Sequence, residues 1–271
     1  MSDTVTSASP RIATAFERAH SESRGALMPY LMGGYPTLER SLEIGRAYAQ
    51  VGADIIELGV PYSDPLADGA VIHEAATEAL AAGASVSGVL ELARALSPSV
   101  PVVLMCYANV VFAPGVEAFV ERLAHTGAAG LIVPDLPLEE ATQTLAACDA
   151  HGIALVPLIA PTTPPERLAA IGARARGFLY TVSVVGTTGE RSALPERFTE
   201  LVAKAKAATD VPVAIGFGIS TPEDVRAAVR AGADGVIVGT RLVRAAGDSA
   251  DSAAAVAEVL SELKSGLGTD R

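Results

Sequence analysis

Apolar positions along the chain recur in two alternating patterns. Short continuous runs begin at Ala26 (ALMPYLM), Asp54 (DIIELGV), Val100 (VPVVLMCY), Gly130 (GLIVPD), Ala154 (ALVPLIA), Gly177 (GFLYTVS), Val211 (VPVAIGFG) and Gly235 (GVIVGT). They lack the apolar/polar alternation of a half-solvated sheet. Continuous apolar strands are what a parallel sheet covered on both faces requires. Between them the period changes. Val116, Phe119, Val120 and Leu123 fall at i, i+3, i+4, i+7, as do Phe198, Leu201, Val202 and Ala205, and Val256, Val259, Leu260 and Leu263. That spacing gathers each set on one face of a helix. Gly52, Gly127, Gly152 and Gly232 each close a helical segment just before a strand, where a helix takes its left-handed C′ residue.

Strands alternating with helices in this way predict an α/β protein, a single (β/α)8 TIM barrel with an N-terminal arm and helix. An open doubly wound sheet is the rival arrangement. Residues 1–10 are small and polar and read as a flexible N-terminal arm. No Pro/Gly/Ser-rich linker follows, so 11–271 reads as one barrel catalytic domain. Two βα units are longer than the rest. One carries PYSDPLADGA after the second strand and the other SVVGTTGERSALPER after the sixth. Loops that follow strands lie on the C-terminal face of a barrel, where active sites of this fold are built, and long loops are usually functional.

Composition narrows the class. Half of the 271 residues are hydrophobic, enough for a large core, and this excludes a disordered chain. The balance of 20 basic and 31 acidic residues gives −11. Without a Lys/Arg cluster, that charge argues against nucleic acid or an anionic membrane as partner. No apolar run approaches the ~18 residues of a membrane span, and MSDTVTSASP lacks the regions of a secretory signal. Cys106 and Cys148 sit in apolar contexts without a CxxC. They read as buried thiols in a reducing compartment, and the chain as cytoplasmic.

Candidate chemistry concentrates at strand ends. Glu57 shares strand parity with Ile55 and Gly59, which directs it into the barrel mouth. A carboxylate inside an apolar strand is costly unless paired. Glu57 is therefore either ion-paired to an arginine or an acid/base group of raised pKa. Asp64 and Asp68 follow in SDPLADG. Loop aspartates are common turn formers, but with Glu57 they place up to three carboxylates over one mouth, and acid/base catalysis uses pairs of separated pKa. The last two strands end in GFGIS and VGTR. Gly216, Gly218, Ser220, Gly239 and Thr240 there suit a phosphate held by backbone N–H groups at a helix start, although glycine is also ordinary turn chemistry. Gly186 and Gly189 suit a loop that closes over the same site.

What is missing discriminates further. The three lysines, Lys204, Lys206 and Lys264, fall on outer helices, which disfavours a Schiff-base mechanism. The four histidines, His20, His73, His125 and His151, show no HxH or HExxH spacing, so no metal site is expected.

The string ELGVPYSDPLADG at 57–69 resembles the signature of the tryptophan synthase alpha subunits. The likeness continues through PYLMGGYP, YANVVF, GLIVPDLPLEE, LIAPTTP, TVSVVGTTGER and GFGISTPEDV. It implies a lyase that splits indole-3-glycerol phosphate into indole and glyceraldehyde 3-phosphate by a retro-aldol reaction. Indole would then be passed to a beta subunit, in an alpha2beta2 complex, for tryptophan synthesis. No cofactor is implied in this subunit, pyridoxal phosphate being expected only in the beta partner. By the same resemblance Glu57 is the general acid/base and Asp68 the partner of the indole N–H. Tyr30, Tyr180, Thr188, Gly189, Gly218, Gly239 and Thr240 bind substrate, and Asp64 faces the beta subunit. Two other readings stay open. One is a phosphosugar isomerase or epimerase, which needs a histidine or metal-ligand set at the strand ends. The other is a non-catalytic, phosphate-binding regulatory subunit, which needs neither Glu57 nor Asp68.

Overall fold

The computed structural model describes residues 9–182, 194–216 and 218–268. Its strands are β1 (Ala26–Met32), β2 (Ile56–Gly59), β3 (Val102–Met105), β4 (Gly130–Ile132), β5 (Ala154–Leu155), β6 (Leu158–Ile159), β7 (Leu179–Val182), β8 (Val213–Gly216) and β9 (Gly235–Val238). All pair in parallel, in the order β5-β4-β3-β2-β1-β9-β8-β7-β6.

The two ends of that order are halves of one run. ALVPLIA is broken by Pro157, which has no N–H to give to a ladder. Before the break, Val156 N–H donates to the Leu131 carbonyl at 2.9 Å; after it, the Pro157 carbonyl accepts from Tyr180 N–H at 3.0 Å. The segment 154–159 therefore joins both edges and closes the sheet. The result is the expected eight-part barrel with its fifth strand divided.

Strand parity sorts the core. Met28, Ile55, Val103, Ile132, Ala154, Phe178, Ala214 and Ile237 form the inner cluster. Their neighbours Leu27, Ile56, Leu58, Val102, Leu104 and Leu131 pack outward. The outer helices include α2 (Leu38–Val51), α4 (Val86–Leu96), α6 (Val116–Ala124) and α12 (Ser252–Lys264). In α6 the periodic set Val116, Phe119, Val120 and Leu123 is wholly buried. Gly52 ends α2 at φ 94°, a conformation that side-chain-bearing residues rarely adopt.

The N-terminal helix α1 (Pro10–Ser21) closes the lower end of the barrel. Its Ile12, Ala15, Phe16 and Ala19 enter the inner cluster, with Phe16 and Phe178 ring centroids 5.8 Å apart. At the same end, the unexposed carboxylate of Asp54 accepts from Arg24 at 2.5 and 2.9 Å, Arg18 at 2.6 Å and Leu27 N–H at 2.8 Å. This network ties α1 and the starts of β1 and β2 together, leaving the opposite face for chemistry.

On that face the oversized second unit holds an extra helix, α3 (Ala70–Ala81), ahead of α4. A short helix α5 (Ala108–Phe112) follows β3, and α11 (Thr240–Asp248) follows β9. The sixth-unit insertion falls largely outside the described residues.

Candidate active site

Glu57 stands on β2, level with Tyr30 of β1 and Val103 of β3. Its parity turns it inward, as Ile55 below it shows, and it is 2% exposed. Among the described residues no basic side chain pairs with it, and its Oε2 has no hydrogen-bond partner. The arginine-pair alternative thus finds no partner among the described residues. Burial, reinforced by the nearby charge of Asp68, pushes the Glu57 carboxyl up to about 8 from its ordinary 4.5. It is protonated at neutral pH, the state a general acid needs.

Two tyrosines wall this carboxyl. Tyr30 and Tyr180 are both buried, and burial together with nearby negative charge, Glu57 included, raises both phenols. Glycines make room for them. A Cβ on Gly216 of β8 would lie 2.5 Å from the Tyr180 Oη, and one on Gly59 of β2 would overlap the Tyr30 hydroxyl.

Asp68 lies in the loop between β2 and α3, half-buried. Burial raises its carboxyl; a hydrogen bond from Tyr107 and the charge of His73 work against that rise. Tyr107, just past β3, is a site residue that the sequence reading did not single out. Its Oη accepts Ala67 N–H at 3.0 Å, and its ring stacks on Tyr62 with centroids 5.1 Å apart. A polar aromatic at a strand's C-terminal end was the available signal. Asp64, by contrast, is exposed and accepts from Ser63 Oγ at 2.5 Å, and near it Leu66 is 84% exposed.

Two helix starts face the mouth after β8 and β9, and they differ. Helix α10 (Pro222–Arg230) is already capped by itself. Thr221 Oγ1 accepts Asp224 N–H, and Asp224 Oδ2 accepts the N–H groups of Ser220 and Thr221. Helix α11 begins at Thr240 after Gly239, with no side-chain cap. A Cβ on Gly239 would lie 3.6 Å from the Tyr30 Cβ, so this start adjoins the tyrosine wall. An uncapped first turn offers amides and a positive dipole end to an anion. Gly218 sits in the loop between β8 and α10 at φ 78°. Thr188 and Gly189 lie outside the described residues. Among the described residues, no three His, Cys, Asp or Glu side chains are grouped to hold a metal ion. Both Cys106 and Cys148 are buried free thiols.

A closed parallel barrel with a protonated carboxyl in its mouth, a second carboxylate near it and an open helix start beside its tyrosine wall defines a barrel enzyme of the acid/base type. The profile of the tryptophan synthase alpha chain family matches residues 16–269. The chain is 51% identical over 235 residues to the tryptophan synthase alpha chain of Prochlorococcus marinus, covering 86% of each. It is 46% identical over 258 residues to that of Methanosarcina mazei, covering 95% of this chain and 94% of that one. A structure of Mycobacterium tuberculosis tryptophan synthase superposes with a TM-score of 0.88 at 39% identity, over 96% of this chain and 98% of that one. The Legionella pneumophila alpha subunit gives 0.86 at 33% identity, over 94% and 97%. The chain belongs to the tryptophan synthase alpha chain family.

Proposed function

We propose that Glu57 carries the proton in the reaction of this family, acting first as acid and then as base. The chain is a carbon–carbon lyase that cleaves indole-3-glycerol phosphate to indole and glyceraldehyde 3-phosphate. Protonated Glu57 gives its proton to C3 of the indole ring. The positive charge that develops on the ring nitrogen is stabilised by Asp68, which accepts the N–H. The ring is now the electron sink. Glu57, now a carboxylate, takes the proton from the glycerol hydroxyl, the C–C bond breaks into the ring, and indole and the aldehyde result. The proton balance closes on Glu57, so the step as written needs no cofactor in this chain.

The remaining residues bind. Tyr30 and Tyr180 hold the indole. Gly239, Thr240 and Gly218, with Gly189, hold the phosphate at the α11 start. Thr188 closes the sixth loop towards Asp68. Asp64, on the exposed part of the second loop, faces a beta subunit that receives the indole and carries pyridoxal phosphate, in an alpha2beta2 complex. A cytoplasmic location agrees with the two free thiols.

The observation that carries this reading is the buried carboxyl of Glu57, whose Oε2 has no hydrogen-bond partner among the described residues. A purely regulatory subunit would bear its desolvation cost without use. The test is indole release from indole-3-glycerol phosphate by the purified chain, alone and with a beta subunit added. Release that the partner accelerates is expected. Substrate bound without release in either case would overturn the reading.

A further inference from the structure

Asp68 sits on a loop, and loops hold geometry poorly unless something ties them down. The tie runs through Tyr107, 40 residues away in sequence from Ala67. A tyrosine hydroxyl has one proton to give and can also accept. Here the acceptor side is taken by Ala67 N–H at 3.0 Å. The hydroxyl proton is thereby left for the neighbouring Asp68 carboxylate, whose charged form it favours.

The tyrosine is itself fixed at both ends. Its ring lies against Tyr62, 28° from parallel, on the same loop three residues past the end of β2, the strand that carries Glu57. At its backbone, the next amide, Ala108 N–H, donates to Asp135 Oδ1 at 2.8 Å, anchoring the start of α5 to the loop after β4. A chain of contacts thus runs from β4 through α5 to the second loop.

We propose that Tyr107 is a positioning residue for Asp68: its hydroxyl, oriented by the Ala67 amide, aims the carboxylate at the substrate nitrogen. This rests on the reading of Asp68 given above. Tyr107 touches no reacting atom. It acts by holding one carboxylate oxygen and leaving the other to accept the indole N–H.

Tyr107→Phe keeps the ring and its stack on Tyr62 and removes only the hydroxyl. Losing a hydrogen bond to a charged group costs about 1.5–3 kcal/mol, so kcat/KM is expected to fall roughly 10–100-fold. The acid limb of kcat/KM should also move to higher pH, because Asp68 loses the bond that favours its charged form while Glu57, Tyr30 and His73 around it are unchanged. Introduced into Asp68→Asn, the same substitution should add little, since coupled residues do not contribute independently. A loss of equal size in both backgrounds, or a wild-type rate with an unmoved acid limb, would overturn the proposal. A chain whose wild type releases no indole would instead overturn the reading of the site, so the two failures are told apart.

Discussion

The hydroxyl of Tyr30 occupies the space that a side chain on Gly59 would need, although the two residues lie on neighbouring strands and Glu57 is the residue level with Tyr30. The mouth is thus shaped by what Gly59 lacks. Gly59→Ala must displace Tyr30, which stands level with Glu57 and is proposed to hold the substrate ring. Overpacking of this kind costs about 1–3 kcal/mol. KM should rise at least tenfold while the fold is retained by far-ultraviolet circular dichroism. Unchanged KM would mean that Tyr30 does not border the substrate.

Activity should follow a bell-shaped pH dependence. Glu57 must be protonated to act on C3, and burial sets its pKa at about 8. Rate is lost on the alkaline side as pH rises through that value. Asp68 must be ionised, and its carboxyl is raised by burial against the opposing effects of Tyr107 and His73. Rate is lost on the acid side as pH falls through that raised value. The profile of kcat/KM reports the free enzyme; a profile flat through pH 8 would remove Glu57 from the acid role.

The same carboxyl makes a stability prediction of defined sign. Folded Glu57 keeps its proton up to about 8, whereas the unfolded chain releases it near 4.5. The native state therefore binds more protons across that window, and stability falls as pH rises through it. Glu57→Gln lacks this dependence. Its urea midpoint relative to wild type should increase between pH 5 and pH 9, and an offset that stays constant would contradict a raised pKa.

Asp54 behaves with the opposite sign. Burial alone would raise its carboxyl, but the hydrogen bonds from Arg24 and Arg18 hold it below its ordinary 3.8. Its contribution is present above that value and is lost as pH falls through the depressed one. Asp54→Ala leaves Leu27 N–H without its acceptor and Arg24 with only Glu22 and the Gly25 carbonyl, and breaking a buried pair costs about 3–5 kcal/mol. A lower urea midpoint with unchanged slope is expected at pH 7, the gap narrowing in acid. An unaltered midpoint would make the network incidental.

Most of the barrel was legible because its strands are uniformly apolar. The run ALMPYLM coincides with β1, and the inward parity of Glu57 follows from Ile55. The division of the fifth strand was not legible, since ALVPLIA reads as one run and only the ladder shows Pro157 parting two sets of partners. Helix α5 has five residues, too few for a period to appear. Helix α3 follows the signature loop with an alanine-rich sequence, and only three of its residues are buried. Tyr107 was missed for a different reason. A polar aromatic past the end of β3 was visible, but its role arises from a contact with a loop 40 residues away in sequence.

The most direct test of the account compares wild type with Glu57→Gln under conditions where both bind the phosphate ester. Indole release should fall at least 10²–10⁴-fold, the usual worth of a general acid, while the dissociation constant changes little. Near-normal release by the variant would show that the proton travels through another group, and the central claim would fail.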